Sequence, residues 1–181
     1  MRIRISFFAA ALTLAMSTSI LLAQKTTQTS KGQAGSPHVK SEWTVDGANI
    51  TVTYGKPFLK GRAVGKEVAP FGEEWRTGAD EATTLTTDKP LKFGPLTVPA
   101  GTYTLYTLPG EKQWQLIVSK KTGQWGIPYP AGQDLGRAPM TVGKAKAPAE
   151  QLTIALDDTA AGGTLRVEWG TTSASVPFTV G

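Results

Sequence analysis

The chain has 181 residues, a formal net charge of +5, one histidine and no cysteine. Disulfide stapling, thiolate chemistry and cysteine-ligated metal centres are excluded, and one histidine leaves no histidine-based zinc site. The lysines are scattered (Lys56, Lys60, Lys66, Lys120, Lys121, Lys144, Lys146), whereas phosphate-tracking proteins gather basic residues on one face, so no nucleic-acid partner is expected.

Arg2 and Arg4 precede an apolar run from Ile5 to Leu22, and Leu21-Leu22-Ala23 stands before the polar Gln24. Residues 1–23 therefore read as a secretory signal peptide, with an uncleaved anchor as the alternative because the run approaches spanning length. Without Arg2 and Arg4 there are 17 basic and 14 acidic residues, a net charge of +3. Cleavage after Ala23 leaves 158 residues, enough for one domain with a core. No later apolar segment reaches spanning length, so the exported chain is expected in the periplasm or outside the cell, without stable membrane insertion.

Residues 24–41 are rich in Thr, Gln, Ser, Gly and Lys with little apolar side chain, which predicts a flexible tether. His38, beside Pro37 at its end, reads as incidental. Residues 42–181 form the expected single domain. In Asn49-Ile50-Thr51-Val52-Thr53-Tyr54 the apolar residues alternate, the pattern of a half-buried strand. Trp43-Thr44-Val45 should pair with it through Asp46-Gly47-Ala48 as a hairpin. Gly101–Leu108, the Pro109-Gly110 turn and Trp114/Leu116/Val118 predict a second hairpin; large residues on both faces of its first strand place that strand centrally. Alternation recurs in Leu152/Ile154/Leu156, Leu165/Val167/Trp169 and Ala174/Val176/Phe178/Val180. With no helical periodicity after the signal segment, about nine or ten short strands predict an all-β antiparallel two-sheet β-sandwich, of plain or jelly-roll topology. The Lys120–Thr141 segment is punctuated by glycine and proline and reads as a long loop. Its Trp125, Ile127 and Tyr129 predict that it folds back over the sheets.

The block Trp75-Arg76-Thr77-Gly78-Ala79-Asp80-Glu81-Ala82-Thr83-Thr84 gathers an indole, a guanidinium and two carboxylates about one glycine turn. Arg76 paired to Asp80 or Glu81 would be either a ligand site or a clamp that fixes the turn. Neighbouring residues on a strand face opposite ways, so the two acids should not act together unless the turn includes one of them. Arg62 and Arg137 could complete an anion-binding rim, or bind carbonyls and nearby acids. Trp75, Trp125 and Tyr129 could stack on sugar rings, but burying one indole removes roughly 200 Å² from water, about 5 kcal/mol, so at most one or two should be available. No Gly-x-Ser-x-Gly elbow, Walker loop or dinucleotide fingerprint is present. No cofactor is expected, and any metal would need oxygen ligands such as Asp80, Glu81, Asp134, Asp157 or Asp158, which suits calcium at most.

Tyr54-Gly55-Lys56-Pro57, Lys60-Gly61-Arg62, the Trp75–Thr84 block, Pro99–Tyr106 and Gln124-Trp125-Gly126 together resemble the bacterial exported family known as domain of unknown function 2911, over about Ser36 to Val180. The resemblance implies an exported single domain and carries no substrate, cofactor or catalytic residue. Members often have Asn before the Glu of the block, where this chain has Asp80. That makes Glu81 and Arg76 the better candidates for chemistry and Asp80 a turn residue. The expectation is a noncatalytic envelope module binding a small molecule or glycan. Its rivals are a hydrolase or isomerase with Glu81 as acid/base and Arg76 as anion anchor, and a structural or partner-binding module.

Overall fold

The structure, a computed structural model, describes residues 24–33 and 35–181; the signal peptide read in residues 1–23 lies outside them. Among the described residues every regular element is a strand: β1 (Lys25–Ser30), β2 (His38–Val45), β3 (Ala48–Gly55), β4 (Ala79–Thr87), β5 (Leu91–Phe93), β6 (Leu96–Val98), β7 (Gly101–Leu108), β8 (Gln113–Ser119), β9 (Asp134–Thr159) and β10 (Gly162–Val180). All pairings are antiparallel, in the order β1-β2-β3-β4-β7-β8-β9-β10-β5-β6.

Both predicted hairpins form. Val45 faces Ala48 across Asp46 and Gly47, whose φ values of 47° and 71° match the twist that a two-residue turn must share with its strands. Strand β7 lies between β4 and β8, the central place its two-faced composition requires.

Two separate sheets are not what forms; the strands make one ten-stranded sheet, not closed. Its continuity comes from β9 and β10. The first part of β9 pairs with β8 and the last part with β10, whose far end carries β5. The Leu165–Trp169 and Ala174–Val180 runs are two parts of β10, with register shifts on either side of Gly170 at φ 58°. The sheet curls around one apolar cluster that includes Tyr54, Leu85, Leu105, Trp114, Leu152, Ile154, Trp169 and Phe178. Three strands separate β3 from β9 in the sheet. Even so, Leu59 N donates to Glu150 O at 2.7 Å, Leu152 N to Pro57 O at 3.0 Å, and Ile154 N to Tyr54 Oη at 3.0 Å. The segment after β3 thus latches onto the far part of β9, satisfying backbone groups that would otherwise be stranded at the fold in the sheet.

Two expected loops carry strand. Residues 25–30, predicted as tether, pair with β2 although all six side chains are exposed; the edge of β2 supplies backbone partners that composition cannot register. The long loop ends early, and Asp134–Thr141 pairs with β8 despite Gly136 and Pro139. Residues 134–140 have no strand on their other side, so Pro139 lacks an N–H where no ladder needs it. The remaining loop does fold back: Ala82 N donates to Gln124 O, and Tyr106 Oη to Gly126 O at 3.1 Å.

Candidate functional site

The chemistry gathers where β4 begins. Continuing the Thr84↔Thr104 register would set Glu81 opposite Thr107, yet Trp75 occupies that place through paired backbone bonds of 2.8 and 2.9 Å. On the other edge, the Thr53↔Thr84 register would set Ala82 opposite Gly55, and Ala79 stands there. The surplus residues loop out, with Thr77 at φ 55° and Asp80 at φ 64°. Thr77 Oγ1 reaches Thr107 Oγ1 and Thr83 Oγ1 donates to Thr77 O, all three threonines being buried. This hydroxyl network holds a backbone that β-branched Thr77 would otherwise avoid.

Arg76 stands inside this excursion. The expected carboxylate pair is not made: its guanidinium donates to Gly78 O, to Asp80 O at 2.7 Å and to Trp125 O at 3.2 Å. Trp125, 39% exposed, lies with its ring centroid 5.7 Å from the guanidinium carbon. Burial pushes the Arg76 pKa down, and the charges of Asp80, Tyr106 and Glu81 resist that shift.

Asp80 and Glu81 converge after all, on a residue read as incidental. His38 Nε2 is 2.9 Å from Asp80 Oδ2 and its Nδ1 is 3.4 Å from Glu81 Oε2. The left-handed backbone at Asp80 breaks the strand alternation that should have parted the acids. Asp80 Oδ2 also accepts Gln33 N at 2.9 Å, so Asp80 ties the β1–β2 connection to β4. A neutral imidazole has one N–H and can donate to only one of two flanking carboxylates. The sequence signal for His38 was the alternation of Val39, Ser41, Trp43 and Val45, which extends β2 back to His38 and sets it on the opposite face.

Two cavities meet at Asp80. An open cleft of about 680 Å³ is lined by Phe58, Lys60, Arg62, Trp75, Arg76 and Trp169 among others, with Glu67, Glu74, Asp80 and Ile127. A smaller one of about 340 Å³ holds His38, Asp80 and Glu81. Trp75 stacks on buried Trp169 with centroids 5.6 Å apart and meets Trp114 edge-on. The predicted platform of Trp75, Trp125 and Tyr129 is thus dispersed. Trp75 lines the cleft and Trp125 covers Arg76. Tyr129 packs edge-on to Tyr106 with centroids 5.0 Å apart.

Arg137 lies outside the cleft lining and touches it through Glu74. It reaches Asp134 at 2.9 Å, Tyr129 Oη at 3.1 Å and Glu74 at 3.3 Å, while Tyr129 Oη donates to Asp134. Burial and the neighbouring Asp134 push the Tyr129 hydroxyl up to about 12. Arg62 binds the carbonyls of Leu59 and Phe58 at 3.0 and 2.7 Å. Of the other candidate oxygen ligands, Asp157 is paired to Arg166 at 2.9 Å and Asp134 to Arg137. Among the described residues no three His, Asp or Glu side chains are grouped to hold a metal ion.

Fold and site together define an all-β protein with one curled antiparallel sheet and a charged, indole-floored cleft at the start of its fourth strand. The family model described as Protein of unknown function (DUF2911) matches residues 36–178, and the chain belongs to that family. No curated protein and no solved structure matches it.

Proposed function

We propose that this is an exported small-molecule-binding module of the bacterial envelope whose ligand occupies the cleft beside Trp75 and Trp169. The carrying observation is the cleft itself, about 680 Å³. That is within the range of small-molecule sites, which combine apolar walls with a few convergent polar groups. Stacked indoles and Phe58 supply apolar wall, and Lys60, Arg62 and Arg76 supply polar anchors. Export rests on the Arg2–Ala23 leader pattern. A sugar, a cell-wall fragment or an organic anion would each suit such a lining.

A ligand that binds only the native state raises the melting temperature. One of these compounds should raise it for the purified protein, and Ile127→Ala, which trims an exposed wall residue, should shrink the rise. A rise untouched by both Ile127→Ala and Phe58→Ala would remove the cleft from the proposal.

The acid/base alternative draws less support. Arg76 lines the larger cavity and Glu81 the smaller, so an anion held by Arg76 does not share a cavity with the proposed base.

A further inference from the structure

We infer that the ligand of this cleft is an organic anion, its acidic group held by Lys60, Arg62 and Arg76 and its apolar part set against Trp75. This rests on the binding reading above and names its ligand class.

Among the described residues Lys60, Arg62 and Arg76 stand without an ion pair: none of these three cations has a carboxylate oxygen within 4.0 Å. The acids of the cleft are otherwise engaged. Asp80 faces His38 at 2.9 Å, and Glu74 faces Arg137 at 3.3 Å. Glu67 accepts Ala63 N, and it is the one acid of these three without an ion pair. A carbonyl orients a guanidinium without neutralising it. Arg62 uses Nε and Nη2 on Phe58 and Leu59, and Arg76 uses Nε and Nη1 on Gly78, Asp80 and Trp125. Each side chain is therefore fixed in place with one terminal nitrogen uncommitted, and both line the same cavity as Lys60.

Two guanidinium groups already oriented by carbonyls lose less side-chain entropy on binding, and their charge favours carboxylate, sulfonate or phosphate over a neutral group. Arg76 is half-buried, and burial works against its charge; an anion beside it would offset that cost. The apolar side of the ligand follows from the floor. Trp75 is half-buried over buried Trp169, and both line the cleft, which leaves an aromatic or alicyclic body a partner in reach of the cations.

The test is isothermal titration of the purified protein with naphthalene-2-carboxylate, naphthalene-2-sulfonate and uncharged naphthalene-2-carboxamide. Both anions should bind about tenfold or more tighter than the amide, as expected for hydrogen bonds to charged groups. Added salt should weaken the anions and leave the amide alone. The preference should collapse in Lys60→Gln/Arg62→Gln and shrink in Lys60→Gln alone; Lys60 is exposed, so that change leaves the fold intact. Equal binding of the amide, or a preference that survives the double substitution, would overturn the anion assignment and leave the cleft a ligand site. No heat from any of the three, with a cooperative melt showing folded protein, would remove the cleft as well.

Discussion

Arg76 shows how one side chain can organise a site without an ion pair. Its donors bring together the carbonyls of Gly78, Asp80 and Trp125, joining the start of β4 to the long loop. Hydrogen bonds from a charged donor contribute about 1.5–3 kcal/mol each when buried and less when half-exposed, so Arg76→Gln should cost roughly 2 kcal/mol in chemical denaturation. The same substitution should raise amide exchange in residues 124–126. Tyr54 gives a second prediction at this scale. Burial pushes its hydroxyl up to about 12, against the opposing hydrogen bond from Ile154 N. Its folded pKa lies above the ordinary value near 10, so its contribution is complete below about pH 10 and is lost as pH rises from there through about 12. A stability curve over that range should fall more steeply for the natural chain than for Tyr54→Phe. The Trp75–Thr84 block was legible from its composition, but its wiring was not. Asp80 and Glu81 meet at His38 because β4 slips register against both β3 and β7. That slip depends on strands distant in sequence.

At the scale of elements, the loop over β4 and β7 depends on Gly126. Its φ is 97°, and a Cβ there would lie 2.9 Å from Arg76 Cβ and 3.0 Å from Ala82 Cβ. Gly126→Ala should destabilise by about 1–3 kcal/mol, from overpacking added to a strained backbone, measurable as a lower denaturation midpoint with unchanged slope. Strand β1 is the opposite case. With every side chain exposed and only β2 beside it, it should exchange its amides faster than β7 in native-state hydrogen exchange. Protection equal to that of β7 would mean that β1 is bound into the cooperative core. The hairpin strands were legible because turn chemistry and alternation are local. Strand β1 was not, because an all-polar edge strand is held by polar bonds, its backbone ladder to β2 and the Thr26–Ser41 hydroxyl contact at 2.9 Å, with no apolar pattern to mark it. Asp134–Thr141 was hidden by Gly136 and Pro139, which signal a loop until β8 is known to lie alongside.

For the whole molecule, alternation identified an all-β antiparallel chain but not one continuous sheet. A two-sheet reading needs a break between the sheets, and a glycine such as Gly143 or Gly170 can weaken a strand. In the structure Ser173 pairs with Gly143 and Gly170 with Ala149, so β9 and β10 pass through both points and stay paired. The curl this permits carries Phe58, Lys60 and Arg62 to the far part of β9 and builds the cleft from segments that no local pattern connects. The central claim is that this cleft holds an organic ligand. The most direct measurement is an NMR titration of the five indole N–H resonances with naphthalene-2-carboxylate, since Trp75 and Trp169 line the cleft while Trp43, Trp114 and Trp125 do not. The account predicts that Trp75 and Trp169 shift together and saturate, while Trp43, which lies outside the cleft lining, stays still. Shifts confined to Trp125, or no shift in any indole at millimolar ligand, would contradict it.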